Sequence, residues 1–406
     1  MNTPGSPTEG AFERDPHPDA DPRRTQNQEP HPAHQGGQSH HDPLGGQAAR
    51  MWGAGMGRRD GAAVDAPGGP DGGKPRRRGG RRRRGDPNAV VPDAEFRSYY
   101  GRPVLKRPVW THDIAYYLFS GGLAAGSSML ALVADARGDA TARRNLRLTS
   151  LTAVGASAYF LIIDLGKPER FYNMLRVAKV TSPMSVGTWI LTGFGPLCGA
   201  AAVFEGAVLL PQRGVWGLAR TLARPAASVA GAGAALFAPL LATYTAVLFA
   251  DTAVPSWHEP YRELPFVFAG SALASGAGAG MLLSPVAQAV PARRAAVLGA
   301  TLELVAAHRM ENEHGLVSEP FRIGRPGKFL RAARALTAAG AVGAVLGRRS
   351  RVVSAAAGAC LLTGSFLTRM AVFEAGITSV EDPKYVVVPQ RERVAARDAA
   401  AATASA

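Results

Sequence analysis

The side chains in this chain that could do chemistry stand at the ends of apolar segments. Asp164, Glu169 and Glu303 are carboxylates so placed, and a carboxyl group at the edge of an apolar phase can take up and release protons. His112 and Tyr244 add an imidazole and a phenol, groups suited to holding an oxygen of a bound molecule. If the apolar segments alternate across a bilayer, one face receives residues 102–112, 164–185, 251–265, 308–328 and 374–384, which hold nearly all the His, Trp, Tyr and carboxylate residues at helix ends. The other receives residues 135–147, 211–224, 284–294 and 347–351, which are short, basic and chemically plain. Loops that only connect helices have no need of such an imbalance, so it implies a functional face. Blander roles stand beside this one. Trp110, Trp189 and Trp257 suit an aromatic belt at the headgroup level as well as a site, His112 suits a capping or interfacial position, and Asp164 could pair with Lys167 or Arg170.

These residues need helices to position them. A membrane-spanning helix takes about 20 apolar residues, at about 1.5 Å rise each through about 30 Å of hydrocarbon. Segments 113–133, 148–163, 186–210, 226–250, 264–283 and 352–373 meet this, and 295–307 and 332–346 are shorter and alanine-rich. The expected fold is therefore all-α, a polytopic membrane bundle of about eight transmembrane helices in residues 99–385. Glycine and alanine crowd the segments, as in the run Ser275-Gly276-Ala277-Gly278-Ala279-Gly280. In lipid such residues let backbones approach closely. A phosphate loop would need a preceding strand and a Lys-Ser/Thr ending. A faint echo between 119–130 and 268–282 suggests two related halves.

The 406 residues divide into unlike parts, although 46% are hydrophobic. Residues 1–98 are rich in Gly, Pro, Asp, Gln and His and carry Arg76 to Arg78 and Arg81 to Arg84, so this N-terminal tail is expected to be disordered, for want of apolar surface to bury. Residues 386–406 are expected to be a flexible C-terminal tail. Much of the formal charge of +15 comes from the N-terminal arginines. Nucleic acid is an unlikely partner, since the run lacks interleaved aromatics and a folded module, whereas anionic lipid is a common partner of such tracts. No apolar stretch follows the arginines as a signal peptide would require, and the tail is expected to be retained. Two cysteines, Cys198 and Cys360, cannot build a disulfide framework or an iron–sulfur ligand set.

The run Asp164-Leu165-Gly166-Lys167-Pro168-Glu169-Arg170-Phe171, followed by Ser182-Pro183-Met184-Ser185-Val186-Gly187-Thr188-Trp189, resembles the signature of the NrfD/PsrC family, the membrane subunits of polysulfide reductase-type complexes. Trp110 with residues 117–126, Thr243-Tyr244-Thr245 with Leu248, and Arg369, Glu374-Ala375-Gly376, Ser379 and Asp382-Pro383 extend it, over about Tyr99 to Tyr385. The tail lies outside the pattern, and Ala246 stands where glycine is common. The resemblance implies a quinone-reactive anchor for menaquinone or another quinone, without haem and without an iron–sulfur cluster in this chain. It implies docking to an iron–sulfur, ferredoxin-like subunit that connects to a molybdopterin-type catalytic subunit. By the same resemblance His112 and Tyr244 hydrogen-bond the quinone, Leu165 and Gly166 line its pocket beside Asp164, and nearby carboxylates pass protons. Since no redox metal site can be built from these residues, electrons must come from a partner. A multi-pass plasma-membrane protein is expected.

A secondary transporter is one rival, suggested by the echo and by glycine-interrupted helices, but it would need a polar site near the bilayer midplane. A b-type cytochrome would need paired histidines inside helices, whereas His112, His258, His308 and His314 fall at ends or in loops. A purely structural anchor is the third. The Lys and Arg counts of the two sets of loops are similar and leave orientation open.

Overall fold

The computed structural model describes residues 103–404 apart from 208–210 and 212; the expected basic tail of residues 1–98 lies outside them. The described residues contain α-helices α1 (His112–Ala136), α2 (Ala140–Asp164), α3 (Pro183–Gly206), α4 (Gly214–Ala250), α5 (Pro255–His258), α6 (Leu264–Leu283), α7 (Val290–Asn312), α8 (Gly324–Leu346), α9 (Arg351–Glu381) and α10 (Lys384–Ala404). Two 3₁₀ helices, Pro168–Arg176 and Gly315–Phe321, join them, and no strand is present among the described residues. Nine of the described helices have 20 residues or more, and eight of them follow the eight expected segments; the ninth, α10, makes residues 386–404 of the expected C-terminal tail helical.

By length and composition α1, α2, α3, α4, α6, α8 and α9 can each cross a bilayer. The eighth helix on an expected segment, α7, has 23 residues, but Arg293, Arg294, Glu303, His308, Arg309 and Glu311 dilute its apolar content. It is carried by packing on α6, where Gly299 and Gly270 meet, and a Cβ on Gly299 would lie 2.7 Å from the Ala274 nitrogen. The central pair is α1 and α6, the two segments that echo one another in sequence. A Cβ on Gly126 would overlap the Ala272 carbonyl oxygen, and one on Gly276 would overlap the Gly126 backbone. Only glycine permits this approach, which supplies the van der Waals contact that holds helices together in lipid.

At the plain face the structure departs from the sequence reading. Arg143 and Arg147, one turn apart on α2, are buried between Asp135 of α1 and Glu205 of α3. Arg143 donates to Glu205 from Nε at 3.0 Å and from Nη2 at 2.9 Å, and to Asp135 from Nη1 at 3.2 Å. Arg147 donates to Glu205 at 2.5 Å and to Asp135 at 2.9 Å. Two cations and two anions thus close a neutral square joining three helices. Sequence treated these residues as a basic connection because their pairing with Glu205 runs between distant segments.

Two outcomes follow from this packing. Gly276→Val should destabilise the detergent-purified protein by on the order of 3 kcal/mol through overpacking, read as a lowered thermal unfolding midpoint; an unchanged midpoint would show that α1 and α6 are not in backbone contact. Glu205→Ala should cost about 3–5 kcal/mol, because it leaves two buried guanidinium groups undercompensated, measured as lost monodisperse yield and a lower midpoint.

Candidate functional site

The end of the bundle that receives the chemically rich loops holds a narrow apolar cleft with about 30 Å³ of free volume in this structure. Trp110, Ile114 and Tyr117 come from α1 and the residues just before it, Leu161, Asp164 and Leu165 from the end of α2, Met184 and Thr188 from α3, and Tyr244 and Leu248 from α4. Met174 of the 3₁₀ helix closes one side.

Asp164 sits at the last turn of α2, where it meets the start of α1. Its Oδ1 accepts from the Thr111 backbone N–H at 3.4 Å, and the Thr111 hydroxyl lies 3.3 Å from it and 2.8 Å from Asp113 Oδ2, so one hydroxyl serves two carboxylates. The same Thr111 oxygen caps α1 by accepting from the Asp113 N–H. Asp164 is therefore anchored to α1, and no ion pair to Lys167 or Arg170 forms among the described residues. Leu165 follows it into the cleft wall, and Gly166, at φ +68°, turns the chain out of α2 into the 3₁₀ helix. A positive φ of this kind favours glycine.

Tyr244 reaches the cleft from the last turns of α4 and is 8% exposed. Among the described residues nothing accepts a hydrogen bond from its hydroxyl. The ring packs against Gly187 of α3, where any Cβ would overlap ring carbons. Gly187 belongs to the Ser182–Trp189 motif, and its contact with Tyr244 gives that glycine a physical reason. On the α1 side, Trp110 stacks on Phe249 at 5.5 Å and on Trp257 at 5.6 Å, while Phe249 and Trp257 stack at 4.3 Å. Trp257 is fully buried and donates from Nε1 to the Val372 carbonyl at 2.7 Å, so it is core and does not belong to an aromatic belt. Trp189, half exposed, donates to the Val177 carbonyl at 3.1 Å and holds the loop before α3.

Asp164, Leu165 and Tyr244 are thus brought together, with Gly166 at the adjoining turn. Three expected residues are not. His112 is 54% exposed at its side chain, its Nε2 lies 3.5 Å from Glu374 Oε1, and its ring packs on Phe373; it does not line the cleft. Arg325 shares that Glu374 oxygen at 3.3 Å. Glu169 is exposed in the 3₁₀ helix, which buries none of its residues. Glu303, expected near a helix end, lies mid-way along α7 because that helix extends beyond the apolar segment at both ends. It is buried, accepts from the Thr368 hydroxyl at 2.5 Å, and neighbours Arg369, whose Nη2 donates to the Phe268 carbonyl at 2.9 Å and whose guanidinium lies 3.7 Å from the Phe268 ring centroid. Thr111, Met174, Met184 and Thr188 were not foreseen. Of these only Met184 and Thr188 lay within a motif already read, and none is ionisable.

Residues 104–317 match the family model described as polysulphide reductase, NrfD. The chain belongs to the NrfD family. No curated protein matches it. Family membership and the apolar helices make it a multi-pass integral membrane protein, the membrane subunit of an oxidoreductase. The NrfD match includes every residue that lines the cleft and stops at residue 317, short of α8 and of α9, the helix that carries both Arg369 and Glu374.

If Gly187 is what lets Tyr244 lie against α3, Gly187→Ala should displace the ring and lower turnover of the assembled oxidoreductase about tenfold, with little change in the helical circular dichroism of the purified subunit. Turnover within twofold of the parent would separate Gly187 from the site.

Proposed function

We propose that this chain exchanges electrons between an iron–sulfur, ferredoxin-like partner subunit and a membrane quinone, menaquinone or another, with coupled proton transfer, and that the partner in turn serves a molybdopterin-type catalytic subunit. The observation that carries the reading is a hydroxyl donor, Tyr244, left without an acceptor inside an apolar cleft that also holds a carboxylate. A ligand carbonyl is the acceptor that this cleft lacks.

The residues present fit such a molecule. Ile114, Leu161, Leu165, Leu248, Met174 and Met184 offer an apolar bed for its ring and tail, and Trp110, held by its two stacked neighbours, offers a flat wall. A quinone, when bound, accepts two electrons and two protons. Tyr244 would donate to one of its oxygens, which strengthens as that oxygen gains charge. Asp164 would hold or release a proton at its carboxylate, and Thr111 keeps that carboxylate oriented. His112 and Glu374 lie together at the same end of the bundle, outside the cleft. They would serve proton exchange with water there, a role distinct from the direct quinone contact that the resemblance implied for His112. Glu169, exposed in the 3₁₀ helix that also carries Met174, would do the same, while Glu303 is separated from these steps by its place inside the bundle.

The reading is tested on the assembled complex with its native quinone. Tyr244→Phe should lower turnover about tenfold, the equivalent of about 1.4 kcal/mol, and Asp164→Asn should lower it further and flatten its pH dependence, both with partner subunits still co-purifying. Full turnover in both variants would remove the cleft from the reaction.

A further inference from the structure

The helix α4 is longer than its task requires. Its 37 residues span about 55 Å at 1.5 Å per residue, more than the about 40–45 Å of a whole bilayer with its headgroups. The excess lies at the N-terminal end. Gly231 of α4 passes Arg147 of the buried ionic square, a Cβ there lying 3.0 Å from Arg147 Nη2, and α1 ends one residue past Asp135 of the same square. Residues 214–224 therefore begin about 10 Å outside that level, and Pro225, which cannot donate a backbone hydrogen bond, marks the junction.

This overhang is amphipathic and uncovered. Val215, Leu218 and Leu222, at spacings of three and four, make one stripe, and they are 76%, 63% and 59% exposed, with Trp216, on the flank between this stripe and the arginines, 54% exposed. Arg213, Arg220 and Arg224 fall on the opposite side of the helix. Arg213 and Arg224 are exposed and have no acidic partner among the described residues. The acids at this end of the bundle are already engaged, Asp135 and Glu205 in the buried square and Asp139 with Arg137 at 2.9 Å.

We propose that residues 214–224 bind anionic phospholipid of the adjoining leaflet, with Val215, Leu218 and Leu222 at the acyl boundary and Arg213 and Arg224 on headgroup phosphates. A protein surface could cover the apolar stripe, but it would leave the arginines on the far side unanswered. The headgroup layer answers both, because apolar and anionic groups succeed one another within a few ångströms of depth. The segment is continuous with a membrane-spanning helix and needs no separate recruitment.

The test uses the full-length chain in nanodiscs carrying brominated lipid, with W216F subtracted to isolate the Trp216 fluorescence. Brominated phosphatidylglycerol should quench Trp216 at least twofold more than brominated phosphatidylcholine, and R213Q/R224Q should abolish the difference. Equal quenching by the two lipids would overturn the anionic preference. Quenching by aqueous acrylamide alone would place the segment in water, and quenching by neither agent would place a protein or a second copy on it; either result overturns the proposal. Should W216F fail to fold, phosphatidylglycerol retained per protein after detergent exchange decides the matter: R213Q/R224Q should lower it at least twofold, and an unchanged value refutes lipid binding.

Discussion

The backbone of α1 lies directly on that of α6, glycine against glycine, and the rest of the bundle is arranged about that contact. Burial in lipid gives no net drive for helices to associate, so close van der Waals packing must supply it. Gly126 and Gly276 allow the approach because neither has a Cβ to hold the helices apart. With α1 fixed, its N-terminal end is fixed too. Thr111 can then reach Asp164, Trp110 can stack on Phe249 and Trp257, and Tyr117 can enter the cleft wall. Packing near the middle of the bundle thereby sets geometry at its chemically active end.

Charge inside the bundle is managed in two different ways. At the plain end Arg143, Arg147, Asp135 and Glu205 cancel one another through direct contacts, each carboxylate receiving hydrogen bonds from both arginines. Such an arrangement ties three helices while exposing no net charge to lipid. The interior pair is looser. Glu303 Oε2 and Arg369 Nε and Nη1 have no hydrogen-bond partner among the described protein atoms, although Thr368 and Phe268 satisfy their other atoms. The transporter reading asked for polar groups inside the bundle, and these residues are such groups. The open cleft, with its unused donor, nevertheless lies at the end of the bundle together with the residues matched to the NrfD family.

The cleft itself is mostly apolar surface with two polar groups placed on it. Asp164 is held by hydrogen bonds from a neighbouring helix, and Tyr244 by the shape of Gly187 beneath its ring. Orientation of both is set before any ligand arrives, which limits the ordering cost of binding.

What the sequence determined by itself is what depends on composition along a single segment. Runs of about twenty apolar residues have to be helices in a membrane, since hydrocarbon offers no other partner for backbone groups, and the apolar runs placed eight of the nine long helices and the two chemically unlike ends. The motif containing Asp164, Leu165 and Gly166 was legible for the same reason, as contiguous residues. The tertiary structure alone decided which side chains meet. His112 and Asp164 both stand at the expected end, yet the direction of the His112 side chain from the first turn of α1 sends its ring to Glu374 and Phe373 and away from the cleft. Glu205 finds Arg143 and Arg147 across about sixty positions, and Gly187 finds Tyr244 between two helices. Hydropathy fixes where a helix lies in the membrane, whereas its rotation about its own axis is set by neighbours that are remote in the chain.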